Sequence, residues 1–312
     1  MDFLVTGGAG FIGSHLVERL LQEGVSVRVL DNFSTGKRAN LAPFESRIDL
    51  VEGDIADPQT CTRACRDVRT VLHEAALPSV PKSVSDPVTT HRTNIDGTFT
   101  VLVAARDAGV RRFIYAASSS AYGETPTLPK IETIRTEPLS PYAVQKLTGE
   151  YYCSVFARCY GLQTLSVRYF NVFGPRQDPT SQYAAAIPAF VTAILRETPP
   201  TVYGDGEQTR DFTFIENVIQ ANLLAARAPE THGEVINVAC GEHVSVNAII
   251  REINRLLGKN VQAQYVPPRP GDIKDSWADI SLAAQVIGYK PIVPFAEGLR
   301  RTIDWYVKEH GD

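Results

Sequence analysis

Tyr142 and Lys146 stand four residues apart, so on a helix their side chains share one face. An ammonium beside a phenol favours the phenolate and draws its pKa down from about 10. Such a pair gives a general base that needs neither a metal nor a histidine. Upstream, the run Ser118-Ser119-Ser120-Ala121-Tyr122-Gly123 directly follows an apolar stretch and offers hydroxyls at its end. Near the start, Gly7, Gly10 and Gly13 enclose Phe11 and Ile12. Glycines at this spacing allow a tight turn, close approach of backbone to a pyrophosphate, and tight packing of a helix on a strand.

Those residues need elements to hold them. Residues 3–6 read as a buried strand, the glycines follow at once, and residues 14–21 carry apolar side chains at helical spacing. The helix N-terminus then offers free N–H groups and a partial positive charge to phosphates. A second strand over 25–30 ends at Asp31, 18 residues beyond Gly13. There a carboxylate accepts hydrogen bonds from ribose hydroxyls and repels a 2′-phosphate, which favours NAD over NADP. Lys37 and Arg38 weigh the other way, because nearby cations would welcome that phosphate. A nicotinamide cation would also strengthen the pull of Lys146 on Tyr142.

The alternation continues. A strand over 48–51 leads to Gly53-Asp54, which sets Asp54 near an adenine. Residues 70–73 form another strand, and the small Ala75 and Ala76 after it let backbone approach the cofactor. A helix is expected over 88–107, a strand over 112–116, and a long helix from Pro141 to about Tyr160. Strands separated by helices predict an α/β fold with a doubly wound parallel (Rossmann) sheet, its ligand at the carboxyl ends of the strands.

Composition bounds the rest. The chain has 312 residues, with 44% hydrophobic and 21% charged, as expected of a globular core. A formal net charge of -4 gives no general basic field, so nucleic acid is not an expected partner. Five cysteines, Cys61, Cys65, Cys153, Cys159 and Cys240, are too few and too scattered for a disulfide framework. Their spacing does not match a zinc site, and no metal is expected. No stretch approaches the roughly 18 consecutive apolar residues of a membrane span. The first motif begins almost at Met1, so no secretory leader is expected, and the cytoplasm is the simplest setting. His73 reads as structural.

The motifs together resemble the extended short-chain dehydrogenase/reductase family, over essentially the whole chain. The resemblance rests on the three glycines, the serine after the fifth strand, the Tyr142/Lys146 pair, the stretch Arg168-Tyr169-Phe170-Asn171-Val172-Phe173-Gly174-Pro175, and Gly204-Asp205-Gly206 with Thr209-Arg210-Asp211-Phe212. Arg269-Pro270-Gly271-Asp272 and Trp277-Ala278-Asp279 fit as well. It is nearest to UDP-hexose 4-epimerases. Phe173-Gly174-Pro175-Arg176-Gln177-Asp178-Pro179 with Tyr183-Ala184-Ala185 resembles the branch that accepts UDP-N-acetylhexosamines.

That resemblance implies C4 epimerisation of a UDP-sugar through a 4-keto intermediate, with NAD as cofactor. Tyr142 would remove the O4 proton and Lys146 would support it. Ser118, four residues before Tyr122, would hand over the proton, a role Ser119 could share. Asn32, Ile55, Asn94 and Phe170 complete the implied cofactor contacts. Asn171, Arg210 and Arg269 would meet the diphosphate, Tyr203 the uracil, Asp272 the ribose, Gln177 the substrate as well, and Pro78 and Ser79 a sugar wall. Ser276 would line the C2 side of the hexose, where a small side chain leaves room for an acetamide.

Dehydratases of the family carry an acid just after the Ser/Thr, whereas Ser119 and Ser120 stand here. A UDP-glucuronate 4-epimerase stays open, with Arg176 facing the carboxylate. So do a net-redox reductase and a dinucleotide-binding regulator, although a regulator need not keep Ser118, Tyr142 and Lys146 together. The resemblance further implies a homodimer through helices near 88–107 and 142–160. It also implies two interleaved parts: 1–171 plus about 217–244 for NAD, and about 172–216 plus 245–312, a smaller α/β part, for the nucleotide-sugar.

Overall fold

The computed structural model describes residues 1–179, 186–268 and 274–310. The first half alternates strand and helix. In order come β1 (Phe3–Thr6), α1 (Phe11–Gln22), β2 (Val27–Asp31), β3 (Ile48–Glu52), α2 (Pro58–Cys65) and β4 (Thr70–His73). There follow α3 (Val80–Ser85), α4 (Pro87–His91), a π-helical turn over Arg92–Gly97, α5 (Thr98–Asp107), β5 (Arg112–Ser118), α6 (Pro141–Tyr160) and β6 (Gln163–Tyr169). The expected helix over 88–107 is therefore composite. Its wide turn falls where the Asn94 side chain turns inward to Leu77 and Gln145, a common place for a π-bulge.

The second half has shorter strands: β7 (Val172–Phe173), β8 (Thr201–Tyr203), β9 (Thr209–Arg210), β10 (Thr213–Phe214), β11 (Glu234–Val238), β12 (Val244–Ser245), β13 (Gln264–Val266) and β14 (Asp275–Ser276). Its helices are α7 (Ala186–Leu195), α8 (Ile215–Arg227), α9 (Val246–Leu257), α10 (Ser281–Ile287) and α11 (Phe295–His310).

Among the described residues seven strands form the main sheet, in the order β11-β6-β5-β4-β1-β2-β3, and every neighbouring pair is parallel. Both faces are covered, which explains why these strands are apolar throughout. Leu72, Ile114 and Val167 point to the face under α1 and α8. Val71, Phe113 and Tyr115 point to the face under α2, α5 and α6. Each fully buried aliphatic or aromatic side chain contributes about 1.5–3 kcal/mol. The chain leaves β1 toward β2 and β3, then crosses back to β4, so the order reverses between β1 and β4. Open α/β sheets bind ligands in the crevice at such a reversal.

β11 returns to the main sheet beside β6. The other late strands make small sheets, β10-β7, β12-β9-β14 and β13-β8. Residues 176–178 fasten this region to the first half through an Arg176–Glu18 ion pair and a Lys37–Asp178 pair at 3.1 Å. No helix among the described residues is long and apolar enough to cross a membrane.

Candidate active site

The glycine turn has a geometry that only glycine tolerates. Gly7 has φ +69°, and a Cβ there would lie 2.8 Å from the Ala75 backbone. At Gly13 a Cβ would stand 2.2 Å from the Gly7 carbonyl oxygen. No side chain caps the start of α1 at Gly10, so its first-turn N–H groups face the crevice, ready for an anion. Phe11 and Ile12 pack partly against the core. Ala75 and Ala76 follow β4 directly, and the Ala75 N–H donates to Thr6 Oγ1 at 3.3 Å.

Asp31 is buried at the end of β2. Its carboxylate accepts from Ala9 N at 2.9 Å and Phe33 N at 2.8 Å, which fixes its orientation. The two cations that weighed toward NADP are engaged elsewhere. Lys37 pairs with Asp178, and Arg38 pairs with Glu52 while lying 4.0 Å over the Phe33 ring. Asn32 Nδ2 reaches toward Asp54 at 3.4 Å, and Asp54 accepts from Ala56 N at 2.8 Å. Ile55 is buried against Gly97. Asn94 is engaged with Leu77 and Gln145 and so braces the loop after Ala76. Phe170 is fully buried beside Tyr122, leaving its backbone as the part that can face a ligand.

The reactive pair sits at the start of α6. Ser140 caps this helix, Pro141 occupies its first turn, and Gly161 ends it in the left-handed conformation. Gly149 lets the helix lie close on Tyr115, whose ring would be 2.3 Å from any Cβ there. The Tyr142 N–H donates to Ser83 Oγ at 3.0 Å. Lys146 Nζ donates to the Ala116 carbonyl at 2.7 Å and lies 5.1 Å from the Tyr115 ring centroid.

Ser118 closes β5, and its side chain lies near enough to the Tyr142 phenol to favour the ionised form. Ser118 Oγ also accepts from Ser120 N at 3.2 Å and Ser120 Oγ at 2.9 Å. Of the three serines, Ser118 is the one that acts on the phenol, while Ser119 opens the short turn that follows.

The expected lowering of the Tyr142 pKa joins Lys146 to a nicotinamide cation, and the chain alone sets the opposite starting point. Burial pushes the Tyr142 phenol up to about 12, against the Ser118 hydrogen bond that pulls it down. Glu74 adds to that rise, so the chain alone holds a neutral phenol. Burial also lowers the Lys146 ammonium to about 8, against the opposing pull of Glu74 and Glu150.

A cavity of about 320 Å³ opens in the second half, and Asn171, Tyr203, Gln208, Arg210 and Phe212 are among its walls. It brings together Asn171, Tyr203 and Arg210, three residues assigned to the nucleotide end. Asn171 holds φ +31° and donates through Nδ2 to the Asp211 carbonyl at 2.9 Å. The Arg210 guanidinium donates to the carbonyls of Thr209 and Lys274, both at 2.8 Å. Ser276 lies opposite Arg210 in the β14–β9 register. Gln177 turns back to the Val172 carbonyl at 3.0 Å, and Ser79 caps α3 beside Pro78. Arg269, Asp272 and Tyr183-Ala184-Ala185 lie outside the described residues.

Three contributors escaped sequence reasoning. Gln208 donates to the Tyr203 carbonyl at 2.7 Å and shapes the cavity wall. Asp211 is buried and accepts from the backbone N–H groups of Cys240, Gly241 and Ala278, gathering three segments around the site. Glu74 accepts from the Tyr169 hydroxyl at 2.7 Å. The available signal was an acid beside apolar neighbours in Asp211-Phe212 and in Leu72-His73-Glu74-Ala75.

The model of the NAD dependent epimerase/dehydratase family matches residues 3–239. The chain is 37% identical over 310 residues to a UDP-glucose 4-epimerase of Mycolicibacterium smegmatis, covering 98% of each. Among solved structures it resembles the UDP-N-acetylglucosamine 4-epimerase from Methanobrevibacter ruminantium M1 in complex with UDP-N-acetylmuramic acid. That likeness has 41% identity, a TM-score of 0.94, and coverage of 99% of this chain and 98% of the other. The UDP-glucose 4-epimerase of Thermus thermophilus, solved as a complex with NAD, matches at 38% identity and a TM-score of 0.90, covering 98% of this chain and 99% of that one.

Proposed function

The chain belongs to the NAD dependent epimerase/dehydratase family, and from that premise we propose that it inverts C4 of a UDP-hexose. The substrates are UDP-glucose/UDP-galactose and UDP-N-acetylglucosamine/UDP-N-acetylgalactosamine. The observation that carries the reading is the convergence at the end of β5, where the Ser118 hydroxyl acts on the Tyr142 phenol and Lys146, one turn along the same helix, is anchored on the Ala116 carbonyl. A bound NAD would supply the hydride acceptor and donor at C4, and its nicotinamide cation would add positive charge that favours ionisation of a buried phenol.

The glycine turn, the uncapped start of α1 and Asp31 hold that cofactor. Tyr142 takes the O4 proton and later gives it back, with Ser118 positioned to share the hydrogen bond. Lys146, anchored on the Ala116 carbonyl, keeps its positive charge beside the phenol. Asn171 and Arg210 face the diphosphate, where a guanidinium suits phosphate oxygens. Arg269 and Asp272 belong to the same proposal, as do Gln177, Pro78 and Ser79 for the substrate wall. Ser276 leaves space for an acetamide at C2. Arg176 is committed to Glu18, which argues against its greeting a sugar carboxylate.

The division into an NAD part (1–171 plus about 217–244) and a sugar-nucleotide part (about 172–216 plus 245–312) is part of this reading. A homodimer and a cytoplasmic setting complete it. Phe99 on α5 and Val144, Tyr151 and Val155 on α6 are exposed large apolar residues that support the dimer. All five cysteines are free, which fits a reducing compartment.

The test is incubation of the purified protein, without added cofactor, with UDP-N-acetylglucosamine, UDP-glucose and UDP-glucuronate, followed by proton NMR of the anomeric region. The matching galacto-configured product is expected from the first two. No product from any sugar, even with added NAD, defeats the reading.

A further inference from the structure

The loop that leaves β8 at Tyr203 and enters β9 after Gln208 has a residue of the cavity wall at each end. Between them Gly204 and Gly206 hold φ +83° and +77°. Glycines leave such a backbone many other shapes to take, so something must hold this one. Within the loop, Asp205 Oδ1 accepts from Glu207 N at 2.9 Å, and Gln208 Nε2 donates to the Tyr203 carbonyl at 2.7 Å. Its first residue is tied to β13, with Gly204 N donating to the Val266 carbonyl at 2.9 Å.

The tip is held by the start of α9. The Val246 N–H donates to the Gln208 carbonyl at 3.3 Å, and the Asn247 N–H donates to the Gly206 carbonyl at 2.9 Å. Ser245 Oγ takes the Ala248 N–H at 3.2 Å, so the N–H groups of the first three helical residues are all used. The Asn247 side chain completes the clamp. Its Nδ2 donates to the Asp205 carbonyl at 3.0 Å and to Glu207 Oε1 at 2.7 Å. Its Oδ1 accepts from the Tyr265 hydroxyl of β13 at 2.9 Å, which sets the end of the amide that faces the loop. Gly206 lies so close that a Cβ there would stand 2.1 Å from Asn247 Oδ1. The described residues that line the cavity include Val246 but not Asn247, so the amide reaches the cavity through the loop.

We propose that Asn247 is a positioning residue for the nucleotide end of the substrate. It clamps the tip over 205–207 so that Tyr203 and Gln208 keep their places on the cavity wall. The role rests on the reading of that cavity as the UDP site. Asn247 stands on α9, whereas Tyr142, Lys146 and Ser118 stand on α6 and β5, so its loss falls on binding and spares the chemical step.

The probe is UDP itself, which fills the nucleotide end without reacting. The measurement is calorimetric titration of the NAD-loaded protein with UDP, well below the melting temperature of each variant. Asn247→Ala removes every side-chain bond of the clamp and is expected to weaken UDP binding about tenfold. KM for UDP-glucose rises by a similar factor, kcat stays within about twofold, and the NAD content is unchanged. Asn247→Asp keeps the acceptor for Tyr265 but sets a carboxylate against Glu207, so its loss is at least as large.

Unchanged UDP affinity in Asn247→Ala overturns the proposal, as does a fall in kcat with KM intact. Should that variant fail to fold, Glu207→Ala removes one of the two donations from the loop side. UDP binding then weakens about threefold, and no change counts against the clamp. A wild-type protein that does not bind UDP defeats the reading of the cavity itself, whatever the variants do.

Discussion

At the residue scale, position selects Ser118 from a run of three equivalent hydroxyls, because this one ends β5 and acts on the Tyr142 phenol. Specificity is a residue-scale question too. Ser276 sits opposite Arg210, so a bulky side chain there intrudes beside the nucleotide cavity without touching the reactive pair. Ser276→Tyr is expected to lower kcat/KM for the N-acetylated sugars by tenfold or more, a modest steric effect of about 1.4 kcal/mol. Turnover of UDP-glucose should stay within about threefold, measured by coupled assay on both sugars. Equal loss on both removes Ser276 from the specificity argument. The spacing of Tyr142 and Lys146 was readable because helical periodicity is local. The partner of Glu74 was not, because Tyr169 is 95 residues away.

Elements set the second scale. The end of β4 carries His73, whose ring nitrogens meet Thr6 Oγ1 at 2.8 Å and Thr98 Oγ1 at 3.0 Å. The imidazole thus ties β1, β4 and α5 together from inside, as the structural reading of His73 anticipated. Desolvation, aided by Lys146, lowers it to about 3 from an ordinary 6.5. Below 6.5 the unfolded chain binds a proton there and the folded chain does not, so the contribution of His73 to stability falls as pH falls through that window. His73→Gln has no such group. Its stability deficit relative to wild type is expected to shrink by about 1.4 kcal/mol per pH unit from pH 6 to pH 5. Urea midpoints at the two pH values check this, and a deficit independent of pH refutes it.

For the whole molecule, α6 serves two purposes. Its inner side places Tyr142 and Lys146, while Val144, Tyr151 and Val155 lie at helical intervals on its outer side. Tyr151 is 61% exposed, and an exposed apolar row of this kind marks an interaction face. If a second copy covers it, Val155→Glu buries a charge in the interface and yields a monomer, read by light scattering at micromolar concentration. A wild-type monomer, or an undisturbed dimer in the variant, removes α6 from the interface. The residue-level site should survive the change, because Lys146 and Ser118 are held by β5 of the same chain.

Local rules made much of this molecule legible in advance. The glycine turn, the strand–helix alternation, Asp31 at the end of β2 and the Tyr/Lys pair follow from backbone sterics and short periods, which act within a few residues. Those rules missed some element edges, such as β2 starting at Val27 and β5 running on to Ser118, and the π-helical turn within 88–107. Other facts needed the packed chain. Arg176 turned to Glu18 across 158 residues, Asp211 drew in backbone from two distant segments, and Glu74 crossed a strand to Tyr169. The ionisation of Tyr142 also depended on folding, since spacing supplies a nearby cation but only burial decides how strongly a phenol resists losing its proton.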